Sequence, residues 1–163
     1  MAKGKVQVIY GNGKGKTSAA LGYAVQEACH NGSVVVIEFL KKKDTDEIAF
    51  LDRLEPEIRI FRFQKSQKYY SELSQQEQLE EQRNMLNGLS YVRKVFQTEE
   101  CSRLILDEVL GLADEGIITE EDLVKLLDQR PDDMDIILTG RVLGACLHDY
   151  ADDIFEIRTE KLS

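Results

Sequence analysis

A glycine- and lysine-rich segment near the start of the chain constrains the fold more than any other feature. It occupies residues 11–17, reads GNGKGKT, and lies between an apolar run at residues 6–10 and an alanine-containing run with good helix propensity. Its three glycines allow successive backbone N–H groups to point at one anion, and the helix behind them adds the positive end of its dipole. Strand, glycine-rich turn and helix in this order predict the first β–α unit of a phosphate-binding α/β fold.

The residues of this loop are candidate ligands for the phosphates of a nucleotide. Lys16 supplies a point charge, and Thr17 offers a hydroxyl to magnesium as the helix begins. We therefore predict that the chain binds ATP with Mg²⁺. The candidate binding residues are Gly11, Asn12, Gly13, Lys14, Gly15, Lys16, Thr17 and Ser18. A strict P-loop has glycine at the position of Tyr10, so the sequence departs from that pattern at one residue.

Further apolar, β-branched runs alternate with longer polar-faced segments along the rest of the chain. These runs lie at residues 34–39, 58–63, 104–106, 134–139 and 154–157. Strands that alternate with helices indicate parallel pairing. We predict one three-layer α/β domain over residues 1–163, with a mostly parallel sheet of the P-loop NTPase (RecA-like) type and helices on both faces.

Two of the intervening segments have clear helical signals. Between residues 71 and 96 the apolar positions follow helical spacing, which predicts one long amphipathic helix with an interruption near Gly88. Thr119 precedes three acidic residues and is a candidate N-cap, because negative charge stabilises the first turn of a helix. The helix that follows Thr119 is expected to end before Pro131.

The composition excludes several classes of function. A formal net charge of -9 argues against a nucleic-acid binder, and the lysine run at residues 41–43 is predicted to be a solvated loop. Cys29, Cys101 and Cys146 lack the number and spacing of a disulfide framework or a zinc site. No apolar run approaches the roughly 20 residues that span a bilayer. We expect a soluble, cytoplasmic protein with no membrane partner.

An acidic pair is the second candidate part of the site. Asp107 and Glu108 directly follow the apolar run at residues 104–106, and Mg²⁺ prefers hard oxygen ligands of this kind. The sequence does not rank the two carboxylates, so both are candidate metal ligands together with Thr17. Neither histidine has metal-like spacing and no nucleophile–base pair is evident, which favours chemistry that relies on positioning and charge stabilisation.

Arg141 is a further candidate because it follows the run at residues 134–139. In open α/β sheets, ligands bind in the crevice at the carboxyl ends of the strands. The sequence allows two roles for Arg141, a contact with phosphate or an ion pair with a surface carboxylate.

With these residues the sequence resembles the ATP:corrinoid adenosyltransferase family of the P-loop type, which acts on cob(I)alamin and cob(I)yrinic acid a,c-diamide. The similar segments are GNGKGKTSAALG (11–22), VVVIEFLK (34–41), LILDEV (104–109), RPDDMDIILTGR (130–141) and ADDIFEIRTEK (151–161). The P-loop alone indicates only a nucleotide, whereas these segments in this order point to one family. The family also tolerates a residue other than glycine before GNGKGKT.

The resemblance implies a reaction in which a cobalt(I) corrinoid attacks the 5′-carbon of ATP and expels triphosphate, in adenosylcobalamin biosynthesis or salvage. It implies catalytic roles for Lys16 and Glu108. Lys14, the loop N–H groups and a magnesium ion held by Thr17 with Glu108 or Asp107 would also stabilise the departing triphosphate. Corrinoid is then a substrate beside ATP, and the implied partners are a second copy in a homodimer and a reductase that supplies cobalt(I).

One segment departs from the family that the chain resembles. Typical members carry a phenylalanine and a tryptophan after the third strand, where they cover the corrinoid, and this chain has no tryptophan. The candidate replacements, as a corrinoid wall or as ordinary packing, are Phe61, Phe63, Tyr69 and Tyr70. The chain is also shorter at both ends than many members, from which we expect a more open pocket.

This departure leaves two alternatives to adenosyl transfer. One is a catalytically impaired nucleotide- or corrinoid-binding paralogue. The other is a different small P-loop ATPase or kinase.

Overall fold

A six-stranded sheet organises the computed structural model, which describes residues 3–40 and 49–163. The strands are β1 (Val6–Tyr10), β2 (Val34–Glu38), β3 (Ile58–Arg62), β4 (Arg103–Asp107), β5 (Asp135–Gly140) and β6 (Asp153–Glu156). They are arranged in the order β3-β2-β4-β5-β1-β6, and every neighbouring pair is parallel. The predicted parallel α/β fold is confirmed. The lysine run at residues 41–43 lies outside the described residues.

The helices connect the strands as parallel pairing requires. They are α1 (Lys16–Cys29), α2 (Gln75–Thr98), α3 (Leu110–Asp114), α4 (Glu120–Leu127) and α5 (Ala145–Tyr150). Short 3₁₀ turns lie at Asp52–Leu54 and Tyr70–Glu72. Within the described ranges, no helix combines the length and the apolar character needed to cross a membrane.

Local sequence signals account for the starts of the two longest capped helices. Ser74 and Glu77 form a capping box at α2, in which each side chain accepts a hydrogen bond from the other residue's backbone N–H. Thr119 caps α4 by accepting a hydrogen bond from Asp122 N at 3.1 Å, as predicted, and α4 ends before Pro131.

The predicted interruption of α2 near Gly88 is wrong. The helix is continuous from Gln75 to Thr98, and Gly88 is buried where α2 packs on the sheet. A Cβ atom at Gly88 would lie 2.8 Å from the ring of Phe39 and 3.2 Å from that of Phe63. The glycine therefore permits close packing of aromatic rings against the helix rather than a break in it.

The two faces of the sheet carry separate apolar layers because alternate side chains of a strand point in opposite directions. On one face, residues such as Val35 and Ile37 join a core cluster with α2, α3, α4 and α5. On the other face, Val34 and Val36 pack in a cluster with Ala20 and Ala24 of α1. β2 is therefore buried on both sides, as its uninterrupted apolar sequence predicts.

The register of the strands brings polar residues together at the carboxyl edge of the sheet. Glu38 is aligned with Arg62 on one side and with Asp107 on the other. Tyr10 is aligned with Gly140 and with Glu156. The loop at residues 11–17 and the N-terminus of α1 follow β1 at this same edge, so the sheet places them beside the carboxylates.

Candidate active site

The loop at residues 11–17 has the backbone geometry that its glycines predict. Gly11 and Gly15 adopt φ angles of 126° and 104°, which L-residues with a side chain rarely adopt. At Gly11 the available space is an additional constraint, because a Cβ atom there would lie 2.3 Å from the carbonyl oxygen of Ile157. Both positions therefore require glycine.

The N-terminus of α1 is uncapped, in contrast to those of α2 and α4. Gly15 occupies the N-cap position with no side-chain hydrogen bond, and the first turn of α1 contains no acidic residue. The backbone N–H groups of a first helical turn need partners from outside the helix, and the helix dipole favours a negative one. This helix end is suited to an anionic ligand such as phosphate.

The lysines of the loop differ in their surroundings. Lys16 is half-buried and its Nζ donates a hydrogen bond to the carbonyl oxygen of Gly13 at 2.9 Å, so its side chain folds back over the loop. Asn12, Lys14 and Ser18 are exposed. The charge of Lys16 thus lies at the centre of the loop and that of Lys14 at its surface.

The segment after β6 supports the loop from outside. Gly13 N donates to the carbonyl oxygen of Ile157 at 3.0 Å, and Ile157 N donates to that of Tyr10 at 2.8 Å. The Tyr10 hydroxyl lies 3.0 Å from Glu156 Oε2, which accepts its hydrogen bond. The side chain of Tyr10 is therefore part of the contact between β1 and β6. Sequence reasoning missed the role of Ile157, and the available signal was the resemblance of residues 151–161 to the family.

A chain of hydrogen bonds links α1, β4 and β5 beneath the loop. The Thr17 hydroxyl lies 3.1 Å from both carboxylate oxygens of Asp107, which is 1% exposed. Thr139 Oγ1 lies 2.6 Å from Asp107 Oδ1, and Glu108 N donates to Thr139 Oγ1 at 2.9 Å. The structure thus brings the predicted residues Thr17 and Asp107 into side-chain contact, and Glu108 joins the chain of hydrogen bonds through its backbone N–H.

Asp107 and Glu108 differ in position. Asp107 is the last residue of β4 and faces Thr17, whereas Glu108 is the first residue beyond the strand and is only partly buried. Glu108 has a φ angle of 61°, in the left-handed region that non-glycine residues seldom occupy. Such backbone strain costs roughly 1–3 kcal/mol and is concentrated at functional sites.

The donor set here fits a magnesium ion that is bound jointly with phosphates. Mg²⁺ is usually held by one or two carboxylates, phosphate oxygens and water rather than by an all-protein cage. Thr17 and Asp107 supply hard oxygen atoms beside the open N-terminus of α1, and Glu108 directly follows Asp107 in the chain. In residues 3–40 and 49–163, no group of three or more His, Cys, Asp or Glu side chains is arranged to hold a metal ion.

Two arginines lie near the carboxyl edge in different settings. Arg141 is exposed in the turn after β5 and forms no ion pair with a carboxylate in the described part of the chain. Arg62 is partly buried, and its Nε donates to Glu38 Oε2, which is itself buried at the end of β2. Sequence reasoning missed the Glu38–Arg62 pair, although an acidic residue directly after VVVI in a buried strand was a signal of it.

The four aromatic candidates occupy three different environments. The rings of Phe61 and Phe63 are centred 4.8 Å and 5.9 Å from the ring of Tyr91 in α2, and both pack against the core. Tyr70 is 7% exposed, and its hydroxyl accepts a hydrogen bond from Gln82 Nε2 at 2.7 Å. Tyr69 is 55% exposed. Among these four, Tyr69 presents the most surface to a ligand.

None of the three cysteines has the surroundings of an activated nucleophile. Burial raises the pKa of the Cys101 thiol to about 11. Desolvation and the nearby carboxylates of Glu121 and Glu120 raise the pKa of Cys146. Cys29 is exposed at the end of α1, at the opposite edge of the sheet from the loop. Nucleophilic attack by a thiol is therefore not a feature of this site.

A separate groove of about 720 Å³ lies between α3, α4 and the turn before α5. Its lining combines Ile117, Ile118 and Val142 with the acidic Glu120 and Glu121. The carboxylates disfavour phosphate, and Glu120 is already occupied in accepting hydrogen bonds from the backbone N–H groups of Gly144 and Leu147. The groove is therefore less suited to phosphate than the loop of residues 11–17, where the first turn of α1 contains no acidic residue.

The fold and the loop place this chain in the class of P-loop proteins with a RecA-like α/β architecture. A KaiC-like protein from Pyrococcus horikoshii OT3 superimposes with a TM-score of 0.62 at 20% identity, covering 99% of this chain and 76% of that chain. This likeness concerns the fold alone. The sequence identifies the family: the chain belongs to the ATP:corrinoid adenosyltransferases (BtuR/CobO/CobP), whose model matches residues 2–163.

Curated relatives agree with this assignment. The corrinoid adenosyltransferase of Escherichia coli (strain K12) is 26% identical over 159 residues, which cover 98% of this chain and 79% of that protein. The corresponding protein of Salmonella typhimurium is 27% identical over the same length and coverage. An uncharacterized protein from Nostoc is 29% identical over 164 residues, covering 91% of this chain and 42% of that protein.

Proposed function

We propose that this protein transfers the 5′-deoxyadenosyl group of ATP to the cobalt of a reduced corrinoid. In this reaction a cobalt–carbon bond forms as the bond between the 5′-carbon and its oxygen breaks, and the electron pair of that bond leaves with triphosphate. Family membership supports the substrates. The observation that carries the nucleotide half is the contact of the Thr17 hydroxyl with both oxygens of Asp107 at 3.1 Å, beside the uncapped α1.

The residues of the site suit a reaction in which the protein supplies no nucleophile. Reduced cobalt is the nucleophile, so the protein has to hold ATP in line with it and stabilise the negative charge of the leaving group. Lys16, Lys14 and the N–H groups at the start of α1 bind the phosphates in this proposal. Thr17, Asp107 and Glu108 would hold magnesium, which neutralises charge on the triphosphate when it is bound.

Tyr69 and Arg141 are the exposed candidates outside the loop. Arg141 contacts phosphate or another anionic group of the substrates, consistent with its exposure and its lack of a carboxylate partner in the described ranges. Tyr69 is proposed to contact the corrinoid, because it follows β3 at the carboxyl side of the sheet and remains 55% exposed. A homodimer and a cobalt reductase remain part of this proposal, as the family resemblance implies.

One anaerobic assay tests the proposed reaction. The protein is incubated with MgATP and chemically reduced cob(I)alamin, and both the adenosylated corrinoid and the released polyphosphate are quantified. Equal amounts of adenosylcorrinoid and triphosphate are expected. Release of ADP would indicate an ordinary ATPase or kinase instead, and tight ATP binding without either product would indicate a binding protein. The Lys16→Ala variant is the control for catalysis by contaminants.

A further inference from the structure

Thr139 is a buried polar residue at the end of an apolar strand, and the strand sequence alone does not explain why a hydroxyl is there. It is the penultimate residue of β5, follows Ile136, Ile137 and Leu138, and is 0% exposed. A hydroxyl in such a place costs free energy unless it forms hydrogen bonds. Its side chain points to the α1 side of the sheet, opposite to Leu138, and there it meets the acidic pair at the end of β4.

The direction of each hydrogen bond follows from the chemistry of the groups. A backbone N–H can only donate, so the Thr139 oxygen accepts from Glu108 N, at 2.9 Å. The single hydroxyl proton of Thr139 is then donated to Asp107 Oδ1, at 2.6 Å. One buried hydroxyl thus holds the carboxylate of Asp107 and the backbone of Glu108 at the same time.

Both partners of Thr139 have orientations that need support. Asp107 must present its oxygens to Thr17, which lies on a different element of the fold. Glu108 has a left-handed φ angle of 61°, and a hydrogen bond to its N–H helps to stabilise that conformation. The direction in which the Glu108 carboxylate leaves the strand depends on this backbone angle.

We propose that Thr139 is a positioning residue of the magnesium site, which acts by orienting Asp107 and Glu108. This inference rests on the proposed function in taking those two carboxylates as the residues that hold magnesium. Residues of the outer shell of a metal site orient the ligands, and their loss typically lowers metal affinity or activity about 10–100-fold. Thr139 has the contacts of such a residue to both members of the pair.

The test compares Thr139→Val, which has nearly the same shape without the hydroxyl, with Thr139→Ser, which retains it. ATP is titrated calorimetrically into each protein at a series of Mg²⁺ concentrations. For Thr139→Val we expect the Mg²⁺ concentration that gives half of the maximal gain in ATP affinity to rise about tenfold or more. Thr139→Ser should restore most of the wild-type response, because its hydroxyl can form the same two hydrogen bonds.

Ile137→Val is the matched control for packing. Ile137 is 1% exposed, lies two residues before Thr139 in β5 and points to the same side of the sheet. This variant removes one buried methylene group and should lower the melting temperature without altering the Mg²⁺ requirement. If Thr139→Val does not fold, Thr139→Ala removes the same hydroxyl with less bulk and is judged by the same criterion.

The results separate this inference from the proposed reaction. A wild-type Mg²⁺ requirement in the variant without the hydroxyl would overturn the role of Thr139, as would an equal shift in Thr139→Ser and Thr139→Val. A wild-type protein whose ATP binding does not depend on Mg²⁺ would overturn it as well. Normal Mg²⁺-dependent ATP binding without adenosyl transfer would overturn only the reaction, because the calorimetric readout needs no corrinoid.

Discussion

Two sets of side chains at the carboxyl side of the sheet are held by different forces. Beneath the loop of residues 11–17, Thr17, Asp107 and Thr139 are joined by hydrogen bonds between polar groups in largely buried surroundings. After β3, Phe61 and Phe63 are held by ring contacts with Tyr91 and by the apolar core. The first arrangement orients a buried carboxylate toward the N-terminus of α1, whereas packing alone is sufficient to explain the second.

This difference affects how each region should respond to mutation. A buried carboxylate that accepts hydrogen bonds from two hydroxyls adds little to the free energy of unfolding, because apolar side chains of similar volume would stabilise the core as well or better. Its proposed function is to present oxygens in a defined direction. Aromatic rings against a helix contribute mainly to the free energy of unfolding. Variants in the first region should therefore change ligand binding, and most variants in the second should change stability.

The largest effect on nucleotide affinity is expected for Lys16→Ala. Loss of a charge-assisted contact with phosphate typically costs about 1.5–3 kcal/mol, which corresponds to a loss of affinity of roughly tenfold to more than a hundredfold. The melting temperature should change little, since Lys16 Nζ donates its hydrogen bond to the carbonyl oxygen of Gly13 within the loop. Calorimetric titration with MgATP measures the effect, and Lys65→Ala is a matched control at an exposed lysine. An unchanged affinity in folded Lys16→Ala would refute the P-loop assignment.

Asp107→Asn and Glu108→Gln should differ in severity, with at least one sharply reducing Mg²⁺-dependent turnover. We expect the larger loss of Mg²⁺-dependent ATP affinity, about tenfold or more, in Asp107→Asn. The amide nitrogen of asparagine cannot accept a hydrogen bond, so it cannot replace both carboxylate oxygens that face Thr17.

A magnesium titration of turnover in both carboxylate variants provides the measurement. Glu80→Gln, at an exposed glutamate of α2, is a suitable control for loss of one negative charge. Wild-type turnover of both Asp107→Asn and Glu108→Gln at every Mg²⁺ concentration would show that the acidic pair is only structural.

Separate alanine variants of Tyr69 and Tyr70 test whether the aromatic segment does more than pack. Tyr70→Ala should destabilise the fold by about 3 kcal/mol or more, because it leaves a cavity and deprives Gln82 of its partner. Tyr69→Ala should leave the melting temperature nearly unchanged. If Tyr69 contacts the corrinoid, it forms part of an apolar wall that disfavours the lower axial ligand of cobalt and makes cobalt(II) easier to reduce. Its loss should then impair transfer that starts from cobalt(II) more than transfer from pre-reduced cobalt(I).

Thermal melts and paired transfer assays with the two cobalt states distinguish these outcomes. MgATP affinity should stay nearly constant in Tyr69→Ala. Equal loss with cobalt(II) and cobalt(I) would argue against a corrinoid wall. A Tyr70→Ala protein with wild-type stability would contradict the packing role of that side chain.

The smallest effect is expected for Tyr10→Phe. This change removes the hydrogen bond to Glu156 but keeps the ring and the strand, and both groups are near the surface. ATP affinity should remain within about twofold of the wild-type value, in keeping with surface substitutions generally. A much larger loss of ATP affinity, measured by calorimetry, would mean that the contact between β1 and β6 controls the conformation of the loop at residues 11–17.

The sequence by itself determined the order and type of the main elements. Each predicted strand lies within one or two residues of an observed one, because apolar β-branched runs separated by polar helical segments are local signals. The loop of residues 11–17 could be predicted for the same reason, because its glycines, Lys16 and Thr17 all lie in one short segment of the chain. The role of Gly88 was predicted wrongly because it depends on the rings of Phe39 and Phe63, which come from other parts of the chain.

Only the tertiary structure decided which distant side chains meet. Thr17 and Asp107 are 90 residues apart in the chain, and Thr139 and Asp107 are 32 apart. Their contacts depend on strand order and register, which place β4 beside β5 and turn alternate residues toward α1. Propensity and spacing carry no information on those distances. For this reason the sequence named Asp107 and Glu108 together, and the packed sheet distinguished the residue that faces Thr17 from the one that follows it.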